Sequence, residues 1–139
     1  QVSMPGAHDA AAFRLAPLPV HWEYLRDCGL TQEWDLGAQL QQGIRFLDLR
    51  VKSDGLLYHG PLACTLTLEV ALQVCAEFLE SHRTEFLMVR IKDEEQSSTS
   101  GPQVHRIVRS LATRFPLQSF TMSSRVQEAR GRILLLQDW

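Results

Sequence analysis

Residues 43–61 read GIRFLDLRVKSDGLLYHGP, and the fold turns on how this stretch is read. Ile44–Val51 has the apolar character of a strand, interrupted by Asp48 and Arg50. These two lie two positions apart, so a strand directs both to one face. Lys52-Ser53-Asp54-Gly55 has turn chemistry, Leu56–Tyr58 is a short return, and His59 stands just before Gly60-Pro61, where the backbone turns again. An acid, a fixed cation and a titratable imidazole within one short segment suit acid–base chemistry on an anionic substrate. The same residues also fit a salt-bridged strand end beside a loop histidine, because charged strand ends are common.

Upstream, Gln1–Met4 is a strand candidate stopped by Pro5-Gly6, with His8-Asp9 directly after it. Asp9 also fits a cap on the alanine-rich turn that follows. Residues 14–33 read as loop, since Pro17 and Pro19 block a long helix. A helix is expected from Glu33 to Gln42, closed by Gly43, with Leu36, Leu40 and Trp34 or Ala38 inward. Trp22 and Tyr24 read as packing residues, and an exposed aromatic here would touch a membrane surface.

Downstream, Thr67 is a good N-cap for a helix running to His82, with Leu68, Ala71, Leu72, Cys75, Phe78 and Leu79 at helical spacing. His82 suits the helix C-terminus and reads as structural. Glu85–Ile91 is a mostly apolar run of strand length, of the kind buried on both faces in parallel sheets. It empties into Lys92-Asp93-Glu94-Glu95. Gln103–Arg114 is an amphipathic helix, with His105, Arg106 and Arg109 on its solvated face. Residues 115–128 are irregular, and Arg132–Gln137 is the final strand.

Strands and helices therefore alternate, which predicts a parallel sheet with helical crossovers. His8, Asp9, Asp48, Arg50, His59 and Lys92 all fall at or beyond strand C-termini. In a parallel barrel those ends form one rim, and that rim carries the active site.

Composition is ordinary: 139 residues, 45% hydrophobic, 22% charged, formal net charge −2. One domain is expected at this length. These values exclude a disordered chain and give no global electrostatic reason to expect nucleic acid. Cys28, Cys64 and Cys75 lack metal-binding spacing and read mostly as buried thiols, with at most one disulfide. No apolar run reaches the roughly 18–20 residues that span a bilayer. Localisation is left open.

The blocks MPGAHD (4–9), LTQEWD (30–35), GIRFLDLRV (43–51), LYHGPL (57–62), TLEVALQVCAEFLESH (67–82), MVRIKDE (88–94) and EARGRILLL (128–136) resemble, in order, the X-region of phosphatidylinositol-specific phospholipase C, the bacterial type being nearest. The resemblance implies an α/β fold, the N-terminal half of a distorted TIM-like (β/α) barrel with parallel strands. It implies cleavage of phosphatidylinositol, in membranes or micelles, to diacylglycerol and inositol 1,2-cyclic phosphate. Glycosyl-inositol anchors are a further substrate class, contact with the membrane is peripheral, and bacterial relatives are secreted.

On matching positions the resemblance makes His8 the general base and His59 the general acid. Arg50 holds the phosphate, Asp9 orients His59, and Asp48 supports the site. Lys92 and Arg130 contact the inositol ring. The chemistry agrees, because in-line transfer at phosphorus needs a base on one side and an acid on the other, and histidine serves either role near neutral pH.

No cofactor and no metal are expected. Calcium takes six to eight oxygen ligands, and an arginine in its place supplies charge while repelling the ion. A glycerophosphodiester phosphodiesterase on a related barrel, or a non-catalytic lipid- or partner-binding relative, are the competing readings.

The chain departs from the pattern at Ala7 and Ala10, where hydroxyl residues are common, and at Cys28, where bacterial relatives often expose a tryptophan. It also offers four barrel strands against the family's eight and no match for the late carboxylate that pairs with the first histidine. Residues 1–139 are therefore expected to be a catalytic domain incomplete at its C-terminal side, inactive in isolation and prone to self-association through open sheet edges.

Overall fold

A computed structural model of the chain describes residues 3–121, 123 and 125–139. The first strand is β1, Gly6–Ala7, which pairs parallel to the start of β2. Among the described residues pairing begins at Gly6 and not in residues 3–4 of the expected strand Gln1–Met4. Residues 3–5 are irregular, and Gln1 and Val2 lie outside the described residues. Pro5 has no N–H to donate, but its carbonyl accepts from the backbone N–H groups of Arg45 and Phe46, so the ladder starts there.

The segment expected to be loop holds a 3-10 turn, Val20–Leu25, and a short helix α1, Arg26–Gly29. Pro19 stands immediately before that turn, so the prolines shorten the helical structure without abolishing it. Helix α2 spans Leu36–Gln41, and the Asp35 side chain caps it by accepting from Ala38 N. Leu36 and Leu40 face inward as expected, but the third inner residue is Gln39, and Trp34 is half exposed. Gln39 donates to the carbonyls of Ala10 and Trp34, which ties α2 to the loop carrying His8 and Asp9.

Strand β2 is Phe46–Val51. The return expected at Leu56–Tyr58 is β3, Leu56–His59, and it continues into β4, Leu62–Thr67, through an antiparallel pairing. Helix α3, Leu68–Ser81, begins at Thr67, whose hydroxyl accepts from Val70 N. His82 closes it by stacking on Phe78 and bonding the Phe78 carbonyl. Then follow β5 (Leu87–Asp93), α4 (Ser100–Leu111), β6 (Leu117–Ser119), α5 (Val126–Ala129) and β7 (Ile133–Asp138). Strand β6 falls in the stretch expected to be irregular.

The sheet order is β4-β3-β2-β5-β7-β6, with β1 beside β2. Strands β1, β2, β5 and β7 are parallel neighbours in chain order, as in part of a (β/α) barrel, and the sheet does not close. All three cysteines are free; Cys64 and Cys75 are buried and Cys28 is exposed. Burial pushes both inner thiols up to about 12, so they are inert packing groups.

Strand β5 is not buried equally on both sides. Leu87, Val89 and Ile91 are fully buried, while Met88, Arg90 and Lys92 alternate with them and are only partly covered. Parallel register carries that second face across the sheet. Met88 pairs with Phe46 and Leu134, Arg90 with Asp48 and Leu136, and Lys92 with Arg50 and Asp138. The inner face is thus apolar at the strand starts and charged at their C-terminal ends.

Candidate active site

His8 and Asp9 leave the end of β1. Ala10 N donates to the Asp48 carbonyl, which pins this turn against β2. Asp9 adopts φ of 46°, a left-handed conformation that aspartate tolerates better than most side chains. Gln32 donates to the His8 carbonyl and Thr31 to that of Asp9. The backbone is therefore held from both sides, while the His8 side chain remains 66% exposed.

Asp9 is the buried centre. Its Oδ1 lies 2.6 Å from Arg50 Nε, and its Oδ2 lies 3.2 Å from His8 Nε2 and 3.5 Å from His59 Nε2. None of these ion-pair approaches has hydrogen-bond geometry, so two buried carboxylate oxygens are left without a directed donor. Burial pushes the Asp9 carboxyl above its ordinary value, against the opposing pull of Arg50, His8 and His59.

His8 Nδ1 is 3.0 Å from Asp48 Oδ2. A carboxylate oxygen only accepts, so this bond puts a proton on Nδ1, and the ring when neutral then presents its lone pair at Nε2. His59 follows the same logic with a different partner. Its Nδ1 lies 3.0 Å from the Gly29 carbonyl, which leaves Nε2 facing Asp9. Gly60 then turns the chain with φ of 58°, and its N–H donates to Glu94 Oε1 at 2.9 Å.

Arg50 has a side chain only 16% exposed and is packed against Asp9 and Asp48. Its two terminal nitrogens make contacts of only 3.4–3.5 Å, to Glu94, Asp48 and the His8 ring. Those are at the long limit of hydrogen bonding, so this edge of the fork is the one an anion would take.

The structure brings together His8, Asp9, Asp48, Arg50 and His59. Lys92 shares their rim, where its Nζ donates to Glu94 Oε2 at 3.1 Å. Arg130 does not join them. It is exposed in the turn between α5 and β7, where the next residue, Gly131, bonds the Glu85 carbonyl just before β5. That is the N-terminal end of the sheet, opposite the site. A residue preceding a strand belongs to the other rim, and the sequence order of Arg130 and Ile133–Asp138 already carried that signal.

Sequence reading passed over three residues that the fold adds. Glu94 holds Gly60 N and Lys92 Nζ, Arg90 donates to Asp48 Oδ1 at 3.1 Å, and Asp138 pairs with Arg90. Arg90 and Glu94 flank Lys92 at a spacing of two, so strand periodicity would have found both.

Among the described residues, one group offers metal-ligating atoms in proximity: His8, Asp9 and Asp48, all within 4.8 Å of one another. The Arg50 guanidinium stands against both of those carboxylates, so a fixed positive charge already occupies the place a cation would need.

No family model matches the chain. It is 29% identical over 142 residues to a 1-phosphatidylinositol phosphodiesterase of Listeria monocytogenes, covering 99% of this chain and 44% of that protein. A solved phosphatidylinositol-specific phospholipase C from the same organism superposes with a TM-score of 0.81 at 29% identity, over 99% of this chain and 51% of that one. The chain resembles bacterial phosphatidylinositol-specific phospholipase C. A phospholipase C of that specificity from Staphylococcus aureus, at 21% identity, shares the fold, with a TM-score of 0.76 over 96% of this chain and 46% of its own. The chain spans about half the length of the phospholipases it matches. The α/β, barrel-like fold expected from the sequence is the fold of these phospholipases.

Proposed function

We propose that this rim cleaves phosphatidylinositol to diacylglycerol and inositol 1,2-cyclic phosphate. The observation that carries the reading is the approach of two imidazoles, from β1 and β3, to one oxygen of Asp9, with Arg50 against its other oxygen. His8 Nε2 takes the proton of the inositol 2-hydroxyl as that oxygen attacks phosphorus. The bond from phosphorus to the diacylglycerol oxygen breaks, and His59, in its imidazolium form with Nδ1–H on the Gly29 carbonyl, gives its Nε2 proton to the leaving oxygen. Arg50 offsets the charge that develops on the phosphoryl oxygens. Lys92 binds inositol hydroxyls from the same rim.

The reaction uses no metal in this reading, since Arg50 supplies the positive charge. That also disfavours the glycerophosphodiester alternative, which relies on a carboxylate-held metal. The 3-10 turn supports membrane contact: Val20 is 92% and Tyr24 75% exposed. Trp22 packs against the core, as read from the sequence, which leaves Tyr24 as the exposed aromatic of this turn.

Phosphorus NMR of the protein with phosphatidylinositol vesicles tests the reading. Cyclic inositol phosphate is expected from the natural chain and not from His59→Ala: the expectation that residues 1–139 are inactive in isolation is set aside here because His8, Asp9, Arg50 and His59 all lie within them and meet on one rim. A natural chain that yields none, or a His59→Ala variant that yields as much, overturns it. A non-catalytic lipid-binding protein keeps its vesicle affinity in both forms.

A further inference from the structure

We infer that Arg90 is a positioning residue for His8, acting through Asp48. The inference rests on the reading of His8 as general base.

Arg90 on β5 is the register partner of Asp48 on β2, so parallel pairing sets the two side chains beside each other on the inner face. Its Nη1 donates to Asp48 Oδ1 at 3.1 Å, while Asp48 Oδ2 accepts from His8 Nδ1 at 3.0 Å. One carboxylate therefore bridges guanidinium and imidazole, one oxygen to each. A carboxylate rotates with little resistance about its terminal bond. Arg90 holds Oδ1 at 3.1 Å, whereas Arg50 reaches Oδ2 only at 3.4 Å, so the Arg90 bond is the closer of the two that keep Oδ2 aimed at Nδ1.

The guanidinium is itself clamped. Its Nε lies 3.1 Å from Asp138 Oδ2 on β7, and Nη2 donates to the same oxygen. Arg90 thus spans three parallel strands from the middle one. The need for such a device follows from the exposure of His8. A ring this open to solvent takes its orientation and tautomer from hydrogen bonds and not from packing. Both of its nitrogens face carboxylates, Asp48 at Nδ1 and Asp9 at Nε2, so the carboxylate that is better fixed decides which nitrogen keeps the proton. Arg90 fixes Asp48, and the lone pair is left at Nε2, where the substrate hydroxyl arrives.

Nitrogen-15 NMR of the histidine-labelled chain reads the tautomer of neutral His8 directly and requires no activity. The natural chain is expected to hold the proton on Nδ1. Arg90→Gln is expected to move a large part of the population to Nε2 and to lower kcat about ten- to a hundredfold, with KM changed less than about twofold. Arg90→Lys, which keeps the charge and stem but not the fork, serves if the glutamine variant does not fold, and is expected to shift the tautomer in the same direction. Asp138→Asn releases only the outer clamp and is expected to leave the tautomer as it was. An unchanged His8 tautomer in a folded Arg90 variant overturns the inference. So does an Asp138→Asn variant that shifts it equally, because the effect would then belong to the strand junction. If the tautomer moves as expected while the natural chain makes no cyclic phosphate, Arg90 positions His8 and the proposed reaction fails.

Discussion

His8 and His59 approach the same atom, Oδ2 of Asp9, from 3.2 Å and 3.5 Å. One arrives at the end of β1 and the other at the end of β3; both strands pair the edge of β2 that β5 leaves open, β1 parallel at Phe46 and Leu47 and β3 antiparallel at Val51, so their ends converge beside the strand that carries Arg50. A buried carboxylate oxygen thus sets the separation of the two imidazoles, and the proposed roles of base and acid are those that the resemblance gives to the matching positions.

The two histidines are expected to respond differently to the leaving group. His8→Ala and His59→Ala should each lose about 10²–10⁴ in the rate of cyclic inositol phosphate formation from phosphatidylinositol. With a substrate whose leaving oxygen needs no proton, such as a nitrophenyl ester, His59→Ala should recover most of its rate and His8→Ala should not. Equal recovery of both would contradict the assignment of base and acid.

Arg50→Lys keeps a positive charge but not the planar fork, and guanidinium–phosphate pairing depends on that fork. We expect a fall in kcat of about a hundredfold or more. Activity of the natural chain should be the same in excess chelator as in added calcium. Strict dependence on calcium would mean that the His8, Asp9 and Asp48 group holds an ion.

Asp9 contributes to stability with a sign opposite to that of a surface carboxylate. Its folded pKa is raised by burial, so the native state binds the proton more tightly than the unfolded chain does. Its contribution is fully present below the ordinary carboxylate value and is lost as pH rises through the raised one. Asp9→Asn removes the buried charge and suits the left-handed backbone. The expected result is a higher melting temperature at pH 7, a difference that shrinks towards pH 3, and about a hundredfold or greater loss of turnover. A melting temperature that falls at pH 7 would show that pairing with Arg50 outweighs desolvation.

Gly29 is expected to act on His59 from a distance. A Cβ there would collide with Leu62 Cδ1 and lie 2.8 Å from Leu15 Cδ1, so both leucines must swing away. The cost to stability should be about 1–3 kcal/mol. The Gly29 carbonyl that holds His59 Nδ1 would move with the backbone, so Gly29→Ala should lower kcat on phosphatidylinositol and lower it less on the activated ester.

The 3-10 turn gives an interfacial prediction. Val20→Ser combined with Tyr24→Ser should raise the apparent KM for phosphatidylinositol vesicles several-fold and leave a short-chain monomeric substrate unaffected. An equal effect on both substrates would place these side chains in folding and not at the membrane.

Local residue chemistry made much of this molecule legible. Alternation of strand and helix patterns indicated a parallel sheet, Thr67 and the helical spacing behind it located α3, and the PGAHD and LYHGP blocks marked His8, Asp9 and His59. These are short-range signals: a cap, a turn and a period each depend on neighbours within a few positions. The β3–β4 pairing and β6 escaped because short strands owe their existence to partners elsewhere. Register across three strands was equally invisible. It sets Arg90 between Asp48 and Asp138 and leaves Glu94 holding Gly60, whereas the place of Arg130 ahead of its strand could have been read from sequence order. The residue types of the site were therefore written in the sequence. Tertiary structure alone decided which nitrogen faces which oxygen, because hydrogen-bonded parallel pairing, and not spacing along the chain, chooses the neighbours of each side chain.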